Sequence, residues 1–241
     1  MEQDRYTRSE MLIGKEKQDA LRHKRVAVFG LGGVGGYAVE SLARAGIGTL
    51  DLFDGDTFSF SNLNRQILAT EKTVGRKKTE VAKERVWEID PNTAVNLYDL
   101  FLLPGREEGI PFSSFDYIVD AIDTVSAKIL LAKKAKEFHI PLISCLGCGR
   151  RLDPTKLKIG DVFATSGDPL AKVLRHELRK EGIASLKVCY SEEPPAPVLS
   201  SSTEPLPPGK KSVPGSMVFV PATAGILIGY EVVKDLLDGM K

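Results

Sequence analysis

Short apolar runs alternate with stretches of helical periodicity along the first 145 residues. Residues 25–30 (RVAVFG) predict a buried strand, and after a glycine turn apolar positions recur at helical spacing from about Val34 to Arg44. Gly46 and Gly48 stop that helix, and residues 49–53 (TLDLF) predict a second strand that runs into Asp54-Gly55-Asp56. Residues 75–89 read as a charged amphipathic helix halted by Asp90-Pro91-Asn92, followed by a third strand over 94–98. A fourth strand (115–119), a lysine-rich helix (126–138) and a fifth strand (141–145) complete the series. Such alternation predicts an α/β fold: a Rossmann-type, mostly parallel sheet with helices on both faces.

Beyond Cys145 the pattern changes to an added C-terminal strand and helix region. Residues 157–163 predict a strand, Asp168-Pro169 opens a helix running to about Lys180, and residues 185–190 predict a further strand. Residues 192–214 are rich in Pro and Ser with few apolar anchors, and are expected to form a mobile loop. A last apolar helix, from about Ala222 to Met240, is suited to pack on the sheet or on a second subunit. No internal repeat interrupts the picture. One domain over 1–241 is expected, with a nucleotide-binding half at about 20–145 and a substrate-side half at about 146–241.

Composition narrows the setting. The 241 residues are 42% hydrophobic and 27% charged, enough for one substantial core. No apolar run is long enough for a membrane helix, and the charged N-terminus lacks the apolar centre of a secretory signal, so a cytoplasmic location and no membrane partner are expected. Three cysteines are too few for a disulfide scaffold and are expected as free thiols. A net charge of +1 gives no global signature of a nucleic-acid binder and leaves only a local basic surface to look for.

The chemistry starts at Gly30-Leu31-Gly32-Gly33-Val34-Gly35. Gly30, Gly32, Gly33 and Gly35 permit a tight turn, close approach of a polyphosphate and presentation of helix N-terminal amides to its charge. Asp54 follows the last of these glycines by about 20 residues at the end of the next strand, where an acidic side chain hydrogen-bonds a ribose hydroxyl. These features alone do not separate a dinucleotide from ATP. The segment 54–66 adds Asp56, Asn62 and Arg65, and Lys78 follows in the next helix. Cations at these positions suit phosphoanhydride chemistry better than hydride transfer.

The blocks G-x-G-G-x-G, D-x-D-x-x-x-x-S-N-L-x-R-Q and V-G-x-x-K, in that order, resemble the ThiF, MoeB and HesA superfamily, relatives of the ubiquitin-activating enzymes that adenylate carboxylates. Arg5-Tyr6-Thr7-Arg8 resembles the R-Y-x-R opening of that superfamily, and Asp120-Ala121-Ile122-Asp123 its D-x-x-D block. The resemblance implies that Asp54 and Asp56 lie at the nucleotide, with Asp54 holding the ribose. It further implies that Asn62, Arg65 and Lys78 handle the phosphates, that Asp123 positions magnesium, and that Arg8 acts across a homodimer. The cofactors it implies are ATP and Mg. By composition alone Arg65 and Lys78 read as solvated surface charges, Asp123 as a helix cap and Arg8 as a free terminal charge.

The C-terminal half resembles one branch, the tRNA threonylcarbamoyladenosine dehydratases, through 153–161 (DPTKLKIGD), 168–180 and 188–192 (VCYSE). Zinc-bearing superfamily members carry two C-x-x-C pairs; this chain has one, Cys145 to Cys148, and no zinc site is expected. The branch implies a tRNA bearing threonylcarbamoyladenosine as partner, and admits a sulfur-transfer protein as another. Arg150, Arg151, Lys172, Arg175 and Arg179 are the candidate phosphate-tracking residues, although interspersed acidic residues also suit a plain soluble helix face. Two other readings stand beside this one: an adenylating activator of a sulfur-carrier or ubiquitin-like protein, and a non-enzymatic dinucleotide sensor.

Overall fold

The computed structural model describes residues 4–166, 168–200 and 214–239. Five strands come from the alternating first part of the chain: β1 (Arg25–Phe29), β2 (Thr49–Phe53), β3 (Ala94–Tyr98), β4 (Tyr117–Asp120) and β5 (Leu142–Cys145). All pair in parallel, in the order β3-β2-β1-β4-β5. Two strands from the C-terminal part extend the same sheet. β7 (Lys187–Ser191) adds parallel to β5, and β6 (Leu157–Asp161) closes the edge antiparallel to β7.

Alternate residues of each strand point to opposite faces, and both faces are covered in β1, β2, β4 and β5, whose residues are almost all buried. Val26 and Val28 face a core built with α3 (Gly35–Ala45), α4 (Lys78–Ile89) and α7 (Phe219–Asp238). Ala27 and Phe29 face a second core with α5 (Val125–Phe138) and α6 (Pro169–Lys180). Phe29, Phe53 and Tyr98 stack across β1, β2 and β3 with ring centroids 4.0 and 4.1 Å apart. Each buried ring of this kind contributes roughly 1.5–3 kcal/mol.

Several boundaries differ from expectation. Two N-terminal helices, α1 (Thr7–Ile13) and α2 (Lys15–Leu21), form without any apolar stripe to announce them. They are held by a few buried anchors instead, Tyr6, Gln18 and Leu21. The Tyr6 hydroxyl donates to Asp90 Oδ2 (2.8 Å) and to Ala43 O (3.2 Å), at the distal ends of α4 and α3. Helix α4 begins at Lys78, not 75, because Gly75 adopts φ +85° and residues 57 and 58 bridge to 77 and 74. Strand β6 stops at Asp161, whose carboxylate accepts from the Phe163 N–H and turns the chain into a 3₁₀ turn over Val162–Ala164. Asp168 caps α6 as its sequence suggests, accepting from the Ala171 N–H at 2.9 Å.

Helix α7 packs lengthwise on α3. Gly225 and Gly229 allow this: a Cβ at Gly225 would strike Val34 O, and one at Gly229 the Ser41 hydroxyl. Its N-terminal end therefore reaches the glycine turn, where Pro221 Cβ lies 3.4 Å from the place a Cβ on Gly33 would take. Of the expected loop over 192–214, residues 192–200 form no helix or strand beyond the end of β7, and 201–213 lie outside the described residues.

Candidate active site

The site is assembled at the C-terminal ends of β1, β2 and β4. Gly30 leaves β1 with φ +90° and donates its N–H to Phe53 O (2.8 Å), tying the turn to the end of β2. A side chain here would meet Ala121 O at 2.8 Å, so the backbone of the β4 crossover lies directly against the turn. Gly36 is the first helical residue after the turn to donate to a backbone carbonyl, that of Gly32 at 3.0 Å. The N–H groups of Gly32, Gly33 and Val34 have no backbone partner among the described residues. A row of open donors at the start of a helix can receive an anion, through the donors and through the helix dipole.

Asp54 supports this row from β2. One carboxylate oxygen accepts from Leu31 N–H (2.7 Å) and the other from Asp56 N–H (2.8 Å). Burial pushes its acidity weaker than that of an ordinary aspartate, against the opposing pull of Lys78 and the two backbone donors. Lys78 starts α4 almost wholly buried. Its ammonium lies 3.2 Å from Asp56 Oδ2 and 3.9 Å from Asp54 Oδ2.

Arg65 approaches from the other side. Its Nη1 donates to Ser61 O (2.6 Å) and Asn64 Oδ1 (3.0 Å), and its Cγ passes 3.5 Å from the position of a Cβ on Gly33. Asn62 turns its side-chain oxygen back to the Ser59 N–H (3.2 Å), closing the 3₁₀ turn Phe60–Asn62. That oxygen shapes the segment bearing Arg65. Asn64 Nδ2 donates to Ser216 O (2.9 Å), joining the same segment to the chain just before α7.

Asp123 sits exposed three residues after β4, one residue beyond the backbone that touches Gly30, and its Oδ1 is 3.4 Å from Thr124 Oγ1. Thr124, not Asp123, occupies the cap position of α5. Behind it lies a buried network that sequence reading missed. Asp120 accepts from Ile122 N–H (3.1 Å), Ser144 Oγ (2.6 Å) and Lys128 Nζ (3.1 Å), and Lys128 also donates to Ser144 Oγ (3.1 Å) and Cys145 O (2.8 Å). Lys128 had the appearance of one more lysine on a soluble helix. Its place one turn into α5, eight residues after the strand-ending Asp120, was the available signal.

Arg8 is not brought to this site within one chain. Tyr6 fixes α1 at the distal end of α3, whose 11 residues separate it from the glycine turn by about 16 Å at 1.5 Å per residue. Arg8 is exposed there.

The basic candidates divide. Lys172 and Arg179 are exposed on α6, seven residues apart and so on one face, with Arg179 lying over the Phe163 ring at 5.1 Å. Arg175, between them, spends Nη1 on Thr165 O (3.0 Å), Thr165 Oγ1 (2.6 Å) and Val162 O (3.2 Å). Arg151 is a correction to the expected surface: only 4% exposed, it pairs with Asp168 Oδ2 at 3.5 Å and donates to Glu193 O. Arg150 is half-buried and works as a clamp. Its N–H donates to Gly215 O (2.8 Å), its carbonyl accepts from Ala196 N–H (2.7 Å), and its Nε donates to Ala196 O (2.7 Å). It thus holds together the two chain segments that enter and leave 197–214.

A surface cleft of about 540 Å³ lined by His139, Leu142, Gly182 and Lys187 lies elsewhere, at the N-terminal ends of β5 and β7. No helix among the described residues is long and apolar enough to cross a membrane.

The fold and the open amide row define a nucleotide-binding α/β protein. The chain belongs to the ThiF family, which matches residues 6–236. It is 38% identical over 243 residues to a tRNA threonylcarbamoyladenosine dehydratase of Bacillus subtilis, covering 98% of this chain and 96% of the relative. The crystal structure of the Escherichia coli tRNA N6-threonylcarbamoyladenosine dehydratase in complex with ATP superposes with a TM-score of 0.87 at 31% identity, covering 98% of this chain and 95% of that one. The complex of the same enzyme with AMP gives a TM-score of 0.88 at 30% identity and the same coverage. Similarity to the Escherichia coli molybdopterin-synthase adenylyltransferase, at 37% identity, covers 58% of this chain and 57% of that one.

Proposed function

We propose that the protein is an ATP-dependent tRNA threonylcarbamoyladenosine dehydratase. The observation that carries this beyond nucleotide binding is similarity to such dehydratases along nearly the whole of both chains, including the part after Cys145. The solved relatives hold ATP and AMP, the nucleotides expected before and after adenylation.

In this reading the threonine carboxylate attached to the adenosine attacks the α-phosphorus of ATP, and pyrophosphate leaves. The amides of Gly32, Gly33 and Val34, with Arg65 and Lys78, offset charge that develops on the phosphate oxygens. A urea nitrogen of the same modified base then attacks the activated acyl carbon, loses its proton and expels AMP, closing a five-membered ring. The net change in the base is loss of one water. Ring closure within one molecule needs no enzyme nucleophile, because the reacting atoms are already held together.

Magnesium fits the residues present. It is commonly bound through one or two carboxylates together with substrate phosphates, and Asp123 offers one exposed carboxylate beside the glycine turn. Bound there, it would neutralise phosphate charge.

A homodimer completes the reading, since Arg8 stands too far from the site of its own chain to act there. The exposed residues Phe219, Ile226 and Tyr230 of α7, with Met11 and Leu12 of α1, supply apolar surface for it. On the tRNA side, Lys172 and Arg179 are the residues proposed to track phosphates.

The deciding experiment incubates the protein with ATP, magnesium and tRNA bearing threonylcarbamoyladenosine, then digests the tRNA and weighs the nucleosides. A modified nucleoside lighter by one water is expected. An unchanged mass, with AMP release that depends on a small carrier protein, would instead establish the sulfur-carrier-activating alternative.

A further inference from the structure

All three cysteines of the chain meet at the C-terminal end of β5, the end of the sheet that carries the nucleotide turn. Cys145 Sγ and Cys148 Sγ are 3.6 Å apart in the sequence Cys-Leu-Gly-Cys. Cys189 stands opposite Cys145 in the β5–β7 register. Cys145 and Cys189 are buried and Cys148 is partly open to solvent. None of them takes part in the chemistry proposed above.

We propose that Cys145 and Cys148 form a reversible disulfide by exchange with a low-molecular-weight disulfide, and that this bond weakens the hold of Arg150 on the segments flanking 197–214. Cys148, the one of the three residues that is only partly buried, attacks the incoming disulfide, forms a mixed disulfide and releases the first small thiol. Cys145 then attacks the Cys148 sulfur, which forms the intramolecular bond and releases the second. The two protons of the protein thiols leave on the two small thiols, so the pair is oxidised by two electrons and the small disulfide is reduced by two.

The surroundings favour the second step. In the free pair the bond to Cys148 holds the Cys145 thiol well below the usual range of cysteine and pushes the Cys148 thiol well above it. Once Cys148 is in the mixed disulfide that bond is gone, and the Lys128 ammonium is what still draws Cys145 down. Lys128 is anchored nearby, 2.8 Å from the Cys145 carbonyl.

The consequence follows from distance. A disulfide requires a sulfur separation of about 2.05 Å, so the pair must close by about 1.5 Å. Little slack exists just beyond it. Gly149 packs so closely on Pro214 that a Cβ there would lie 2.9 Å from the proline Cβ, and Arg150, at φ +60°, holds Ala196 and Gly215 through bonds of 2.7 and 2.8 Å. A shift of that size passed along the chain would take these bonds past the length at which they count as bonds.

The folded full chain is treated with oxidised glutathione, the remaining thiols are alkylated, and peptides are mapped by mass. A Cys145–Cys148 link with Cys189 alkylated is expected, and dithiothreitol should restore three alkylatable thiols. Three alkylated thiols, a link to Cys189, or a stable mixed disulfide on Cys148 alone would overturn the site. The mapping reads no activity, so its failure is separate from failure of the dehydratase reading. In the dehydration assay, oxidation is expected to raise KM for the modified tRNA about tenfold while ATP affinity holds, with Cys148→Ser insensitive to oxidant. A linked protein with unchanged KM, or an oxidant effect that persists in Cys148→Ser, would refute the coupling to Arg150.

Discussion

The Asp54 carboxylate accepts a hydrogen bond from the Leu31 N–H at 2.7 Å, so the residue that follows β2 holds the shape of the glycine turn that follows β1. Elsewhere in the molecule, too, one charged group fixes backbone or charge belonging to another element.

Asp54→Ala should weaken ATP binding about 10- to 100-fold, the equivalent of losing a buried hydrogen-bonding group worth about 1–3 kcal/mol. Titration calorimetry with ATP measures this directly. The acidity of Asp54 is weakened by burial, so the folded state takes up its proton more readily than the unfolded chain. Stability from this group is present below the ordinary carboxylate range near pH 3.9 and is lost as pH rises through its raised value. Asp54→Asn should therefore gain on the wild type as pH rises across that window. Parallel urea curves with no pH-dependent gap would contradict it.

Lys78→Ala should lower the rate of ATP–pyrophosphate exchange by about a hundredfold or more, as removal of a cationic or donor group at developing charge does. The ammonium sits beside Asp54 and Asp56 and not in open solvent, so Lys78→Arg is also expected to fail: the planar fork does not fit a point charge's place. Wild-type exchange in the Arg variant would show that Lys78 acts only by charge.

Arg8 and Lys78 are expected to act in different subunits. Arg8→Ala and Lys78→Ala homodimers should each be nearly inactive, yet mixing and refolding the two should restore a fraction of the activity, because one of the two sites in the mixed dimer is intact. No recovery on mixing, with dimers shown by sedimentation, would place Arg8 outside the site.

Reversal of Lys172 and Arg179 to Glu should reduce tRNA affinity and flatten its dependence on salt, by roughly one unit of slope for each phosphate that is no longer neutralised. Filter binding across a salt series tests this. Arg151→Glu should behave differently. It places a carboxylate beside Asp168 in a buried position, and a cost of about 3–5 kcal/mol is expected in chemical denaturation rather than a specific loss of tRNA binding.

Lys128→Met should destabilise the fold by about 3–5 kcal/mol, because Asp120 keeps a buried charge without its partner. In a chain of this size the corresponding fall in Tm is roughly 6–20 °C. Adding Asp120→Asn to that variant should recover part of the loss, which calorimetry can follow.

The strand–helix alternation, the parallel sheet and the glycine turn were legible in the sequence because each depends on local spacing. Apolar runs of strand length mark strands covered on both faces, and Gly30 and Gly35 stand where the backbone must pass close to another backbone. The same locality made Asp54 visible, at a fixed interval beyond the turn. Helices α1 and α2 were not legible, since they are fastened by Tyr6 reaching Asp90 and Ala43 and carry no periodic stripe of their own. Arg151 and Lys128 share a charge and a side-chain length with Arg179 and Lys172, and only tertiary structure separates the buried pair from the exposed one. Nor does sequence place the three thiols together, because Cys189 arrives through the pairing of β7 with β5. Periodicity and turn chemistry act over a few residues and are written along the chain. Burial of a charge, its partner and its purpose depend on which strands become neighbours, and only the folded sheet decides that.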